Sequence, residues 1–534
     1  MNQITPPSKI EIIPSTAPFA EAQRSWLNGF FAGLLNENAT PLSAEQGAAI
    51  VQGASGDGDD GEAPWHDQTM PIADRMKLAA GRPLRRRMMA AMAQQDCGQC
   101  GYNCNDYSDA IAGKSEVRLN LCVPGGKETA RMLKSLYEEL DKAPAAATPS
   151  PAVVPAVTIS ATISEPGRSR DNPIDAIFTS RRLLNRQGSE KETWHIDFDL
   201  AEGLDYVVGD SFGIFARNDL GLVDQIIALL GAQHTIKVRG KTLREVLTDD
   251  VSLSPAPDTL FELLSFLTGG AQREKARALA QGEDPDGDAA TLDVMATLQK
   301  FSGVRPHPEA FVEALEPLQP RLYSISSSHN ATPGKLSLTV DCVRYVVNKR
   351  RRLGLASTFL AERINPGDQV KVYVQKAHGF ALPADPKTPI IMVGPGTGVA
   401  PFRAFLHDRR ATGAPGKNWL FFGHQRSDCD FFYADELNAM KTAGLLTRLS
   451  LAWSRDGAKK FYVQDRMREV GREVWTWLAD GAHVYICGDA KRMAKDVERA
   501  LVDIIAQFGA RSTDEAISFV GELKKKGRFQ QDVY

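Results

Sequence analysis

Between Asp141 and Arg170 the chain runs through Ala, Pro, Thr and Ser, including Ala-Pro-Ala-Ala-Ala-Thr-Pro-Ser-Pro. Each proline lacks an amide donor and fixes φ, so regular pairing cannot cross such a run, and a semi-extended spacer is the favoured state. The part that precedes it is therefore tethered to the part that follows, and mobility is expected of it. A length of 534 residues with 43% hydrophobic composition is enough for several cores and predicts more than one domain.

The tethered part carries four of the seven cysteines, in Asp96-Cys97-Gly-Gln-Cys100-Gly-Tyr-Asn-Cys104 and, further on, Leu-Cys122-Val-Pro-Gly-Gly. Three closely spaced thiols and a distant fourth before a proline suit a compact iron-sulfur cluster, which needs four soft ligands converging on a small volume while glycine lets backbone approach the sulfides. Structural zinc more often uses two separated cysteine pairs, so the order is iron-sulfur, then zinc, then unliganded thiols. Thr129 to Leu140 closes the module as a short amphipathic helix. Cys342, Cys429 and Cys487 are scattered, which is not a disulfide framework; Cys342 reads as a small buried hydrophobe.

Upstream, Phe19, Trp26, Phe30 and Leu34 recur at helical spacing within Phe19 to Asn36, and the acidic, Gly-rich stretch Gly53 to Gly61 reads as a flexible connector. The first twenty residues lack a signal-peptide pattern and no apolar run is long enough for a bilayer, so the cytoplasm is expected. A formal net charge of -3 gives no overall drive toward nucleic acid or an anionic membrane. The local basic runs Arg85 to Arg87 and Lys349 to Arg352 read as solvated faces, with docking of an acidic redox partner the lesser reading.

Beyond the spacer, Trp194, Ile196, Phe198 and Leu200 alternate with His195, Asp197 and Asp199, a half-buried strand. Leu222 to about Leu318 reads helical. Leu336, Leu338, Val340 and Cys342 share one strand face, and Val370, Val372 and Val374 another, as in an antiparallel barrel. Between these lies Arg321-Leu-Tyr323-Ser324-Ile-Ser-Ser-Ser. Its Arg offers a forked cation for a diphosphate, and Tyr323, on the same strand face, can stack on a planar ring; the plainer alternative is a barrel strand with a surface Arg and a turn-forming Ser run. At Pro389 the pattern changes to alternating strand and helix, the signature of a parallel sheet. There Gly394-Pro-Gly396-Thr397-Gly398 follows the buried strand Ile390 to Val393 and precedes a helix, so its amides can meet a pyrophosphate.

Arg321-x-Tyr323-Ser324, followed by Gly354-Leu-Ala356-Ser357-Thr358, resembles the FAD-binding motifs of the ferredoxin-NADP reductase superfamily, in particular its diflavin branch. From about Asp171 to Tyr534 the order of motifs resembles the flavoprotein subunit of NADPH-dependent sulfite reductase. The resemblance implies that Arg321 binds the FAD pyrophosphate, that Tyr323 packs on the isoalloxazine, that Ser324 sits by its reactive nitrogen, and that Gly354, Ala356 and Ser357 add a backbone cradle. Arg403, the Trp-Leu-Phe-Phe-Gly strand, Ser454-Arg455, Lys460-Phe-Tyr462-Val-Gln464 and Cys487-Gly-Asp489 are similar to the NADP domain of the same superfamily. Ser454, Arg455 and Lys460 fit a 2'-phosphate, with Tyr462 to stack on adenine and Gln464 to bond it. Cys487 and Asp532 match the residues that line the hydride-transfer site with Ser324, and Tyr534 matches the C-terminal aromatic that shields the flavin.

Two departures follow from the resemblance. The interval from Asn36 to Cys97 is too short for a flavodoxin-like FMN domain, so that domain is absent. In its place, Cys97, Cys100, Cys104 and Cys122 resemble the small 4Fe-4S domain of electron-transfer proteins such as those of the Rnf complex and the corrinoid proteins of acetyl-CoA synthase, with one residue fewer between Cys100 and Cys104. The expected organisation is multidomain, α+β and α/β: an N-terminal helical and flexible segment over 1–80, a 4Fe-4S domain over 81–141, the linker over 142–170, an antiparallel FAD-binding β-barrel over 171–385 with a helical connecting insert at about 218–318, and a parallel-sheet NADP-binding domain over 386–534. The expected function is electron transfer from NADPH to FAD to a 4Fe-4S cluster to an external acceptor, with a sulfite reductase haemoprotein the acceptor the resemblance favours. A reductase for ferredoxin, flavodoxin or another haem protein, or a cluster-based redox sensor, stays open. The N-terminal segment resembles one implicated in subunit assembly, which suggests a homo-oligomer.

Overall fold

The computed structural model describes residues 63, 65–66, 70–95, 100, 102–142, 165–377, 379–490 and 492–534. The expected helix over Phe19 to Asn36, the Gly53 to Gly61 stretch, Cys97 and most of the Ala/Pro-rich spacer lie outside the described residues. The chain divides at His66/Asp67, and every described helix and strand lies in the unit from Asp67 to Tyr534.

Four helices, Ile72–Leu78, Leu84–Ala91, Cys104–Ala112 and Gly126–Lys142, build the cysteine-bearing module. Pro71 and Pro83 precede the first two, where a missing amide costs nothing, and the Asn103 side chain caps the third by accepting from Asp106 N. One apolar core joins Ile72, Met88, Tyr107, Ile111, Leu133 and Leu136 to Cys100, Cys104 and Cys122. Ile72 packs in this module's core. The Arg85 to Arg87 run is not a solvated face: buried Arg86 donates to Asn105 at 2.6 Å, Arg85 pairs with Asp109 and Arg87 with Glu139. It fastens its helix to the neighbours.

The alternating segments pair into a six-stranded antiparallel sheet in the order Arg321–Ser324, Ser211–Ile214, Gln369–Gln375, Ile174–Leu183, Thr193–Asp199, Lys335–Asp341. A further bridge between Ile325 and Leu338 links the two edges. Phe178, Ile196, Phe198, Phe212, Leu338 and Val372 fill its core, as period-two burial requires. His195 departs from the polar-out pattern and is buried, because Tyr433 lies against it with the phenol oxygen 3.0 Å from Nδ1. The segment from Leu222 to Leu318 holds helices from Leu220–Leu230 to Pro308–Glu313 and one short two-stranded ribbon, Lys237–Val238 with Lys241–Thr242, around its own apolar core.

The last part is a five-stranded parallel sheet in the order Arg448–Trp453, Asn418–His424, Ile390–Val393, His483–Gly488, Phe529–Val533. Its central strands are buried on both faces, with Ile391 and Val393 in one core and Ile390 and Met392 in another, which explains their unbroken apolar spelling. That second core also takes Leu184, Val208 and Phe380 from the antiparallel part. The chain leaves Ile390–Val393 toward one side and later returns to the other, so a topological switch point lies between Ile390–Val393 and His483–Gly488. Ligands of open α/β sheets bind at such a crevice.

Candidate functional site

Cys487 and Asp532 are register partners on neighbouring parallel strands, and Ser324 ends a strand of the antiparallel sheet. The three meet: the Ser324 hydroxyl donates to Asp532 Oδ2 at 2.5 Å, and Cys487 Sγ donates to the same oxygen at 3.7 Å. Burial pushes the Asp532 carboxyl above its usual range, against the hydrogen bonds from Ser324 and Cys487. Burial also drives the Cys487 thiol well upward, and the Asp532 charge adds to this. Cys487 is therefore a neutral S–H group at neutral pH, a weak donor rather than a nucleophile.

The glycine loop folds onto this strand. A Cβ on Gly398 would lie 2.1 Å from the Cys487 carbonyl oxygen, one on Gly394 would lie 2.3 Å from the Gly398 carbonyl, and Gly396 adopts φ +59°. Thr397 from this loop shares a hydrogen bond of 2.8 Å with the Tyr534 hydroxyl, while Tyr534 N donates to Gly488 O at 3.1 Å. Tyr534 as a residue is half exposed, while burial of its phenol drives that group well above its usual range. Asp489 spends its carboxylate on the amides of Arg492 and Met493, at 2.7 and 3.2 Å.

Arg321 is partly buried, and burial disfavours its charge. Its hydrogen bonds go only to the Gln319 and Pro320 carbonyls at 3.5 and 3.4 Å, and it has no carboxylate partner among the described residues. It faces a cavity of about 190 Å³ that Arg350, Arg351, Arg352 and Arg363 also line. A partly desolvated cation with no counter-ion, in such a basic cavity, fits an acidic diphosphate. The Lys349 to Arg352 run is solvated only in part: Lys349 and Arg351 are exposed, whereas Arg350 and Arg352 both reach Asp293, Arg352 also donates to Thr291 O at 2.6 Å, and Arg352 is buried. Tyr323 packs against the sheet core. Gly354 precedes the short helix Leu355–Thr358; Val343 N donates to Ser357 Oγ at 3.1 Å, and buried Ala356 sits in the core, so it can offer a ligand only backbone.

At the far end of the parallel sheet, Ser454 N donates to His424 O at 2.9 Å and Arg455 N to Gln425 O at 2.8 Å, which staples two strand ends together. The Arg455 guanidinium pairs with Glu190 at 2.5 Å. Lys460 and Tyr462 are exposed, and Gln464 lies in the first turn of the helix Val463–Glu469. These residues follow the C-terminal end of the strand Arg448–Trp453.

Cys100, Cys104 and Cys122 line one small pocket with Met92, Tyr107 and Pro124. Burial pushes Cys100 up to about 11 and also raises Cys122, so without a ligand these two would be neutral thiols. A Cβ on Gly125 would lie 3.0 Å from Cys122 Sγ. Among the described residues no group of three His, Cys, Asp or Glu side chains forms a single-ion site. The module docks on the helical insert: Arg131 makes a bidentate pair with Asp258 at 2.6 and 2.8 Å, and Lys127 Nζ lies 3.5 Å from the same carboxylate. The cavity left between them, about 740 Å³, is bordered by Cys122 on one side and by Arg321 and Leu355 on another.

Sequence reasoning missed the joint between the two sheets. Ser326, Ser327 and Ser328 are buried; Ser328 also opens a turn, accepting from Ala331 N and Thr332 N at 3.2 and 3.0 Å, and it donates to Asp408 at 2.8 Å, while Arg403 donates to Ser326 O at 2.7 Å and to Glu436 at 3.0 Å. The available signal was the length of the Ser run, since three consecutive hydroxyls after a core strand need partners.

Residues 166–359 match the family described as FAD binding domain, and residues 392–499 match the oxidoreductase NAD-binding domain. The sulfite reductase (NADPH) flavoprotein alpha-component of Photorhabdus laumondii subsp. laumondii is 43% identical over 371 residues, which is 68% of this chain and 61% of the relative. Proteins of the same name from Escherichia coli (strain HS) and Escherichia coli O157:H7 are similar to the same extent. The chain thus spans about three fifths of the length of these curated relatives. Among the described residues no helix is long and apolar enough to cross a membrane. The chain is therefore an oxidoreductase homologous to sulfite reductase flavoproteins, with an FAD binding domain followed by an NAD-binding domain.

Proposed function

We propose that the protein is an NADPH-dependent flavoprotein reductase that passes electrons through FAD and a 4Fe-4S cluster to a protein acceptor, the haemoprotein of sulfite reductase in the reading the relatives favour. The observation that carries the reductase is the meeting of Ser324, Cys487 and Asp532 between the sheet that bears Arg321 and the switch point of the parallel sheet. Bound FAD accepts the paired electrons of a nicotinamide and releases them one at a time, which a cluster requires.

The chain's own residues have distinct tasks in this reading. Arg321 holds the FAD diphosphate, Tyr323 flanks the ring, and Gly354, Ala356 and Ser357 offer backbone. Gly394, Gly396, Thr397 and Asp489 line the nucleotide pyrophosphate; Ser454, Arg455 and Lys460 hold the 2'-phosphate, while Tyr462 and Gln464 meet the adenine. Tyr534 covers the flavin face until nicotinamide displaces it. The Ser324 hydroxyl and the Asp532 carboxyl hold a proton beside the reacting atoms, and the neutral Cys487 thiol fills the space without competing as a nucleophile. The six-stranded sheet, joined at Ile325 and Leu338, is read as the barrel.

Cys97, Cys100, Cys104 and Cys122 are the ligands in this reading. The shared pocket of the last three supports it, since the corners of a polynuclear cluster are ligated separately and need thiols spread more widely than around one ion. The cavity bordered by both Cys122 and Arg321 supports electron passage to the cluster. The cytoplasm as location and assembly through the N-terminal segment belong to the same reading. Anaerobic mixing with NADPH, following flavin and cluster bleaching with and without a siroheme protein and sulfite, tests the whole route. Flavin bleaching without cluster bleaching would leave a reductase whose cluster is structural; bleaching of both without transfer to the siroheme protein would point to another acceptor such as ferredoxin or flavodoxin.

A further inference from the structure

We propose that Glu190 is the resident counter-ion of Arg455 and sets how strongly the protein prefers a 2'-phosphorylated nucleotide; this rests on the reading that Arg455 receives that phosphate. Glu190 lies in the hairpin between Ile174–Leu183 and Thr193–Asp199, in the FAD binding domain, and no motif of the nucleotide domain contains it. Its position is nevertheless built. Asn185 and Ser189, from the same hairpin, donate to the fully buried Asp430 at 2.8 and 2.5 Å, and Arg186 N donates to Cys429 O at 2.8 Å.

Asp430 also accepts from Arg426 N at 3.0 Å and lies 3.2 Å from His424 Nδ1. His424 O and Gln425 O in turn accept the amides of Ser454 and Arg455. Both partners of the ion pair therefore hang from one turn, residues 424–430, and the Glu190 carboxylate is presented to Arg455 by buried anchors. The pair itself stays accessible, with side chains 40% and 57% exposed. An accessible pair of this kind is weak, and a phosphate carrying nearly two charges displaces a single carboxylate readily.

The consequence is a toll on one nucleotide class alone. A nucleotide with a 2'-phosphate binds only after Arg455 has left Glu190, whereas one without it leaves the pair intact. Removing the Glu190 charge at constant shape frees Arg455 beforehand. Glu190→Gln is therefore expected to tighten 2',5'-ADP binding about two- to fivefold, the range for an exposed ion pair, with 5'-AMP as the unaffected control. The gap between wild type and variant narrows at high ionic strength, as screening weakens the pair.

The experiment measures inhibition by 2',5'-ADP and by 5'-AMP for wild type, Glu190→Gln, Arg455→Ala and the double variant. The proposal predicts tighter 2',5'-ADP in Glu190→Gln and no effect of that change once Arg455 is Ala. If Arg455→Ala selectively weakens 2',5'-ADP but Glu190→Gln leaves it unchanged or weaker, the counter-ion role is wrong while the nucleotide reading stands. If Arg455→Ala weakens both inhibitors equally, Arg455 is not the phosphate ligand and the reading beneath the proposal falls as well.

Discussion

Ser324 and Asp532 lie 208 positions apart, yet the Ser324 hydroxyl donates to the Asp532 carboxylate at 2.5 Å. The contact exists only because the edge of the antiparallel sheet abuts the last strand of the parallel one. Ala at Asp532 or at Cys487 is expected to slow nicotinamide-to-flavin transfer by about tenfold to a hundredfold, the cost of small misplacements at a reacting centre. Stopped-flow flavin reduction measures it, and wild-type rates in both variants would remove them from the site.

Asp532 also makes a stability prediction. Its folded pKa is raised from 3.8 by burial, so above 3.8 the folded state keeps a proton that the unfolded state has lost. Stability then falls as pH rises from 3.8 toward the folded value, and the penalty is complete above it. Asp532→Asn cannot ionise and keeps an acceptor for Ser324. Its melting temperature at neutral pH is expected to exceed that of wild type even as flavin reduction slows, with the advantage shrinking in acid.

Among the described residues, Tyr534 is held by one side-chain hydrogen bond, to Thr397. Displacing such a ring from an aromatic partner costs about 1 kcal/mol, roughly fivefold in binding of the nicotinamide end. Deleting Tyr534 is expected to raise kcat/KM by about that factor for NADPH and NADH alike, since both nicotinamides displace the same ring. The two kcat/KM values are the measurement, and values unchanged from wild type would show that the ring is not in the path.

The joint between the domains is acid-sensitive for a different reason. Burial raises the Glu436 pKa, but the hydrogen bond from His407 at 2.7 Å and the Arg403 charge overcome this and hold it at about 2. A depressed carboxylate gives stability that is fully present above its unfolded pKa of 4.5 and is lost as pH falls through about 2. Glu436→Gln is expected to lose on the order of 2 kcal/mol at neutral pH, the value of hydrogen bonds to a charged group, and to flatten the acid limb of the stability profile. Denaturant melts at several pH values would show it.

How much of this was legible in the sequence depended on whether the partner was local. The strand Ile390–Val393 and the Gly394 to Gly398 turn were readable because burial on both faces and tight turns leave their marks at consecutive positions. The Lys335–Asp341 strand was readable from one face only; Ser337 and Thr339 on the other are buried because Arg403 and Tyr433 cover them. The basic runs misled for the same reason. Arg86 meets Asn105, and Arg350 and Arg352 meet Asp293, partners that no window of sequence contains, so a charge run reads as solvated until the fold brings its carboxylates home.

Cys104 gives the sharpest test of the electron exit. It is the first residue of the helix Cys104–Ala112 and is buried beside Cys100 and Cys122. A thiolate at a helix N-terminus is favoured by the amide dipoles, so this position suits a ligand that must stay deprotonated, and it follows the shortened Cys100 to Cys104 interval. Serine keeps the size but offers a hard hydroxyl in place of a soft thiolate, and Cys104→Ser is expected to lose the cluster or weaken it severely. Arg321, Tyr323 and Gly354, the residues proposed to meet FAD, lie in separate elements with a separate core, so flavin content and NADPH-driven reduction of a small artificial oxidant are expected to persist. Iron and acid-labile sulfide analysis, together with transfer to the protein acceptor, decide the matter. A variant that holds no cluster yet reduces that acceptor at the wild-type rate would mean that electrons leave directly from the flavin, and the cavity shared by Cys122 and Arg321 would have no part in the route.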